Sequence, residues 1–322
     1  MMKRVCWIVI VATLAVGVGV GYATSGWREY KTSPTTKDLN AVTFINANSG
    51  WAVGYWGVIL RFLNGKWTVN ETWPTQYLQD VDFGNANFGI AVGYQGSGAV
   101  YNGKKWLSAN LPETRNMWGV TVPPGQSSAA WAVGAYGRVY RWSGGPTGSW
   151  NYVNIGITAG LHDVYFSSET DGWLCGNGGK IYQFAGSKWS AVNAPTATPF
   201  FCIYALSPNN AWVGGAGGKI FHYEGVKWTP VHTPTTAAIR EMAFTGPISG
   251  WAACDDGVML RYDGYDWKTV ETEPPTSLSF SGLFMLSDQQ GWAVGKEGMI
   301  YQYRNFPGVE PTSLGKVKAL FE

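Results

Sequence analysis

One glycine governs this chain. It stands six residues after the tryptophan position of a Gly-Trp-Ala-Val-Gly motif, found intact at 50–54 and 291–295 and in degenerate form around Ile90, Trp131, Trp173, Trp212 and Trp251. The glycines are Gly57, Gly96, Gly137, Gly179, Gly218, Gly257 and Gly298, with spacings of 39, 41, 42, 39, 39 and 41 residues. A regular period of about forty residues means stacked supersecondary units, and this length suits the four-stranded blades of a propeller. Composition agrees. The chain has 43 glycines among 322 residues, which would weaken long helices, and its 15% aromatic content leaves no room for disorder.

Each unit reads as four short strands. The first alternates, as in Leu39-Asn-Ala-Val-Thr-Phe44, and the second is the Trp-Ala-Val segment. The third ends in an aromatic residue, as in Lys219-Ile-Phe-His-Tyr223. A tight turn such as Asn64-Gly65 or Asp263-Gly264 favours a hairpin with positive φ. The fourth strand opens on Trp67, Trp106, Trp150, Trp189, Trp228 or Trp267, which serves only six of seven units. The missing tryptophan is Trp27, forty residues before Trp67, whereas the last repeat stops at Tyr303 after its third strand. The expected fold is therefore all-β: a seven-bladed β-propeller over residues 24–303, its last blade closed by the N-terminal strand. Thirteen of the 18 tryptophans fall on repeat positions and read as packing between blades.

Residues 1–23 read as an address. Lys3 and Arg4 precede an uncharged apolar run over 5–23, long enough for a transmembrane helix and also compatible with a signal peptide cleaved near Ala23. Either way the propeller is expected outside the cytoplasm, on the periplasmic face if anchored or secreted if cleaved. Residues 304–322 form a C-terminal tail.

The repeat resembles the photosystem II stability and assembly factor family over residues 24–303. That resemblance implies a seven-bladed propeller on the lumenal or periplasmic side of a photosynthetic membrane, with membrane-complex subunits as partners. The hairpins here are shortened, as at Glu224-Gly225 and Asp263-Gly264. The family's arginine-rich patch has no residue-by-residue counterpart, so no partner-binding position is carried over.

No catalysis, cofactor or metal is expected. The histidines His162, His222 and His232 show no ligand spacing, and no nucleophile elbow is present. Asp255-Asp256 supplies too few oxygens for calcium. Asp80, Asp163 and Glu241 are expected as a hydrated acidic rim at the channel mouth, a pattern that also admits glycoside hydrolysis. Cys175 and Cys254 read as buried thiols. A net charge of +2 leaves no footprint for nucleic acid.

A binding surface remains. Loops before the first strand and between the second and third share one face, the top. There blades one to three carry Tyr55, Trp56, Trp73, Tyr94, Trp118 and Tyr136, an aromatic zone suited to a peptide or glycan. Turns on the opposite, bottom face carry Lys66, Lys104, Lys105, Lys188 and Lys227, placed to meet anionic headgroups beside an anchor. Two functions follow from this: a non-catalytic scaffold or assembly subunit of a membrane complex, or a secreted glycan-binding or glycan-hydrolysing propeller.

Overall fold

Why the strands stack as they do follows from where each repeat residue lands. A computed structural model describes residues 24–72 and 77–306. Among the described residues seven sheets form seven blades, the first six of them antiparallel throughout. Blade one comprises Leu39–Asn46, Ser49–Gly54, Val58–Leu63 and Lys66–Thr72, and the next five follow the same order. Gly26–Arg304 make one compact unit. Among the described residues no helix is long and apolar enough to cross a membrane. The expected anchor or signal over 1–23, the tail from 307 and Trp73 lie outside the described residues.

Blade seven contains Phe280–Ser287, Gln290–Gly295 and Ile300–Phe306, with Thr24–Glu29 as its next strand. The third strand thus runs beyond Tyr303. This blade also has a fifth strand, Thr272–Glu273, parallel to the N-terminal one, with Trp27 opposite Thr272 and Arg28 opposite Glu273. An ion pair of 2.9 Å joins Arg28 to Glu273. The closing strand is held on both sides, where four-strand arithmetic had left its outer edge open.

The core is divided among the seven junctions between blades, each with its own apolar cluster. Its recurring device is a fourth-strand tryptophan set edge-on to the second-strand tryptophan of the preceding blade. The pairs are Trp106 with Trp51, Trp189 with Trp131, Trp228 with Trp173, Trp267 with Trp212, and Trp27 with Trp251, at centroid separations of 5.4 to 6.1 Å. Edge-to-face geometry directs positive ring edges at π faces. Blade two has Ile90 in place of tryptophan, and there Trp150 instead donates its indole N–H to Ala109 O at 2.8 Å.

The period-setting glycine has two duties. At Gly179, for example, φ is +68°, and a Cβ would collide with the backbone carbonyl of Thr196, in the segment crossing to the next blade. A side chain there would both strain the turn and push the crossover away.

Candidate functional site

In every blade the innermost strand carries an irregularity in register after its first residue, between Leu39 and Ala41, Leu78 and Asp80, Met117 and Gly119, and so on around the ring. A bulge re-aims the extra side chain. The seven extra residues are Asn40, Gln79, Trp118, His162, Phe201, Arg240 and Ser281. All seven line a top-face funnel of about 660 Å³. Trp118 was expected in a loop, but it lies on the strand Met117–Thr121.

From blade three to blade six these residues form a continuous stack. Trp118 lies parallel to His162 at 4.8 Å, and His162 meets Phe201 edge-on at 5.3 Å. The Arg240 guanidinium sits 4.7 Å over Phe201 while donating twice to Asp255, at 2.9 and 2.6 Å. His162 Nε2 is 2.8 Å from Asn177 Oδ1, and burial pushes its pKa down, which favours a neutral ring. On the blade-two side, Gln79 Nε2 is buried without an acceptor.

One residue deeper, the ring reads Ala41, Asp80, Gly119, Asp163, Cys202, Glu241 and Gly282. All three acids line the channel, as the rim expected from the sequence requires, and two of them do more than that. Asp80 accepts backbone N–H bonds from Val81 at 2.8 Å and, across the blade junction, from Val120 at 2.7 Å. Asp163 does the same with Val164 and Ile203, both at 2.7 Å. They pin one inner strand to the next. Burial pushes the pKa of Asp80 up to about 6 and that of Asp163 up to about 7, against the lowering effect of those N–H bonds. Asp82, one layer further down, binds Val122 N at 2.7 Å and is raised to about 7 for the same reason. Below the funnel a second cavity of about 390 Å³ continues the channel, and Asp80, Asp163 and Glu241 border both.

The top loops between second and third strands add an outer ring. Their middle residue is left-handed in each blade: Trp56 (φ 58°), Gln95 (54°), Tyr136 (57°), Asp256 (58°) and Glu297 (57°), with Gly178 and Gly217 in blades four and five. For a residue with a side chain this conformation costs about 1–2 kcal/mol. A Cβ built on Gly178 or Gly217 meets nothing within 4 Å, so side chains in this slot are not needed for packing. Five blades therefore accept strain to present a side chain outward.

Tyr55, Trp56 and Tyr94 come together through Tyr77, which the sequence reading did not single out. Its ring lies 5.1, 5.3 and 6.0 Å from theirs. Lys296, paired with Asp38 at 2.9 Å, sits 5.4 Å over Tyr55. Trp118 belongs to the separate stack already described. Tyr136 stands apart from the funnel lining, 63% exposed, with Arg115 at 4.8 Å. Lys66, Lys104, Lys105, Lys188 and Lys227 are all exposed around the bottom hairpins. Cys175, Cys202 and Cys254 are buried free thiols.

No family model and no curated protein matches the chain. Solved structures do. YCF48 from Cyanidioschyzon merolae superposes with a TM-score of 0.69 at 18% identity, covering 87% of this chain and 99% of that one. A YCF48 bound to D1 peptide gives 0.71 at 17%, covering 89% and 99%. The RRP9 WD40 repeats give 0.71 at 8%, covering 89% and 99%. YCF48 is a seven-bladed propeller, so the resemblance read from the repeats is matched at the level of fold.

Proposed function

We propose that this chain is a non-catalytic propeller whose top face holds a polypeptide segment of a membrane protein complex while that complex is assembled or stabilised. The observation that carries the reading is the strained outer ring. Left-handed Trp56, Gln95, Tyr136, Asp256 and Glu297 are exposed in a slot that glycine fills in blades four and five, so their side chains are best accounted for by contact with a partner. Support comes from YCF48, a photosystem II assembly factor, one structure of which holds a D1 peptide. Asp80 and Asp163 commit both oxygens to backbone N–H groups, which favours binding over glycoside hydrolysis. In this reading residues 1–23 anchor or export the chain, the propeller works on the extracytoplasmic side, and the lysine-bearing bottom face turns toward the membrane.

The test is gentle solubilisation of tagged full-length protein, followed by identification of co-purifying membrane subunits. Trp56→Gly with Tyr136→Gly should remove those partners, and neutralising the five bottom lysines should weaken membrane association alone. Partners that survive the top-face changes but vanish with the lysines would reverse the orientation.

A further inference from the structure

We propose that the channel beneath the funnel receives a cationic side chain, a lysine or arginine of the bound polypeptide, with Glu241 as its counter-ion. This rests on the polypeptide-binding reading above and names the chemistry of the segment bound.

Three acids occupy equivalent inner-strand slots, and two are fully used. Asp80 and Asp163 each accept one N–H from their own strand and one from the next blade. Among the described residues Glu241 accepts only Met242 N, at 3.0 Å, and none of them donates to its other oxygen although its side chain borders both cavities. A carboxylate oxygen that faces the channel without a protein donor is open to a partner's ammonium or guanidinium, which would give it a charge-assisted hydrogen bond.

Among the described residues the surroundings contain no unengaged cation to do this. The lower cavity has no lysine or arginine in its lining. In the funnel, Arg240 is engaged by Asp255 and Lys296 by Asp38. Burial, followed by the charges of Asp163 and Asp80, pushes the Glu241 pKa well up, and an entering cation would reverse that effect. Burial holds the nearby thiols of Cys175 and Cys202 neutral and pushes the His162 pKa down, so the one ring that could carry positive charge there favours its neutral form.

An independent feature points to a peptide rather than a free ion: the funnel above is lined by the Trp118–His162–Phe201 stack as well as by Gln79, a surface of rings and amide suited to side chains and peptide bonds. Among the described residues no group of three acidic, histidine or cysteine side chains is arranged to hold a metal.

The experiment uses purified full-length protein and a hexapeptide library with blocked ends, scanned at each position with Lys, Arg, Leu and Glu at pH 8. One position should prefer Lys or Arg over Leu by about tenfold or more, as buried charge pairs at interfaces do. Glu241→Gln, nearly isosteric, should still bind peptides yet lose that preference. With wild-type protein, lowering the pH to 5 should erase it too, because Glu241, Asp163 and Asp80 become protonated; this arm decides the matter if the variant fails to fold. Binding without a basic preference, or a preference unchanged in Glu241→Gln, would overturn the proposal while leaving the polypeptide reading intact. Saturable binding of calcium alone, lost in Glu241→Gln, would make this a metal site and also overturn it. Failure of every peptide to bind would remove both readings.

Discussion

The junctions between blades and the top face use the same repeat in opposite ways. At the junctions, equivalent slots hold equivalent chemistry, so Trp27 meets Trp251 much as Trp189 meets Trp131. On top, the bulge slot holds asparagine, glutamine, tryptophan, histidine, phenylalanine, arginine and serine in turn, although the backbone irregularity recurs in every blade. Repeated geometry with repeated residues is scaffold. Repeated geometry with divergent residues is display, because packing no longer dictates the side chain.

That contrast can be broken by experiment. The largest effect is expected at a junction: Trp27→Ala should cost about 3–5 kcal/mol in urea unfolding, as large-to-small core changes do. Trp118→Ala, in the funnel stack, should cost clearly less while abolishing peptide binding. Equal destabilisation by the two would erase the distinction between seam and surface.

The acid ring lies between the two regimes. In Asp163→Asn the amide can accept only one of the N–H bonds from Val164 and Ile203, and a loss of about 1–3 kcal/mol is expected from the orphaned donor. Its titration sharpens the point. Asp82 and Asp163 titrate near 7 and Asp80 near 6, so between the ordinary carboxylate range and those values the folded protein holds protons that the unfolded chain has released. Their contribution to stability is therefore full below the ordinary carboxylate pKa and lost as pH rises through 6 to 7. Calorimetry should give a lower Tm at pH 8 than at pH 5, with a smaller difference in Asp163→Asn. A Tm that rises over this interval would show that the ring is not the buried element described.

The smallest effect is the most diagnostic. Tyr136→Gly should leave stability unchanged or raise it by up to about 1 kcal/mol, since relief of left-handed strain outweighs the added freedom of the unfolded chain. Gly178→Tyr should do the reverse by a similar amount. A marked loss of stability in Tyr136→Gly would mean that the exposed ring is structural after all.

Much of the scaffold was legible because it repeats. Trp27 could be assigned to the last blade from a missing tryptophan and a spacing of forty residues, and the structure pairs it there. The strand Thr272–Glu273 was not legible, since two residues that occur once carry no period. The funnel was half-read for a physical reason. Strict alternation places residue 118 or 162 on the face opposite its neighbour, and a bulge breaks alternation without any signature of its own. The signal lay in the alignment: between an apolar first residue and an apolar fourth, the second position of every repeat changes its chemistry. Tyr77 was missed because it precedes a strand and belongs to no motif, yet it is the ring through which Tyr55, Trp56 and Tyr94 meet.

The closing strand also sets a timetable. During synthesis the segment around Trp27 is among the first parts of the propeller made, while its partner strand Ile300–Phe306 is among the last. Six blades can begin to pair locally as they emerge, but the seventh cannot be completed until nearly the whole propeller has been made. Until then the Trp27 indole and the flank of blade six at Trp251, which Trp27 and Tyr303 of blade seven cover together, lack their final cover. Contacts of such long sequence separation form slowly, because the entropy of closing the loop is spent before they stabilise anything. The feature that makes the finished ring hard to open thus makes its birth the period of greatest exposure to aggregation, and a chain truncated before residue 300 should fail as a ring rather than survive as a shorter one.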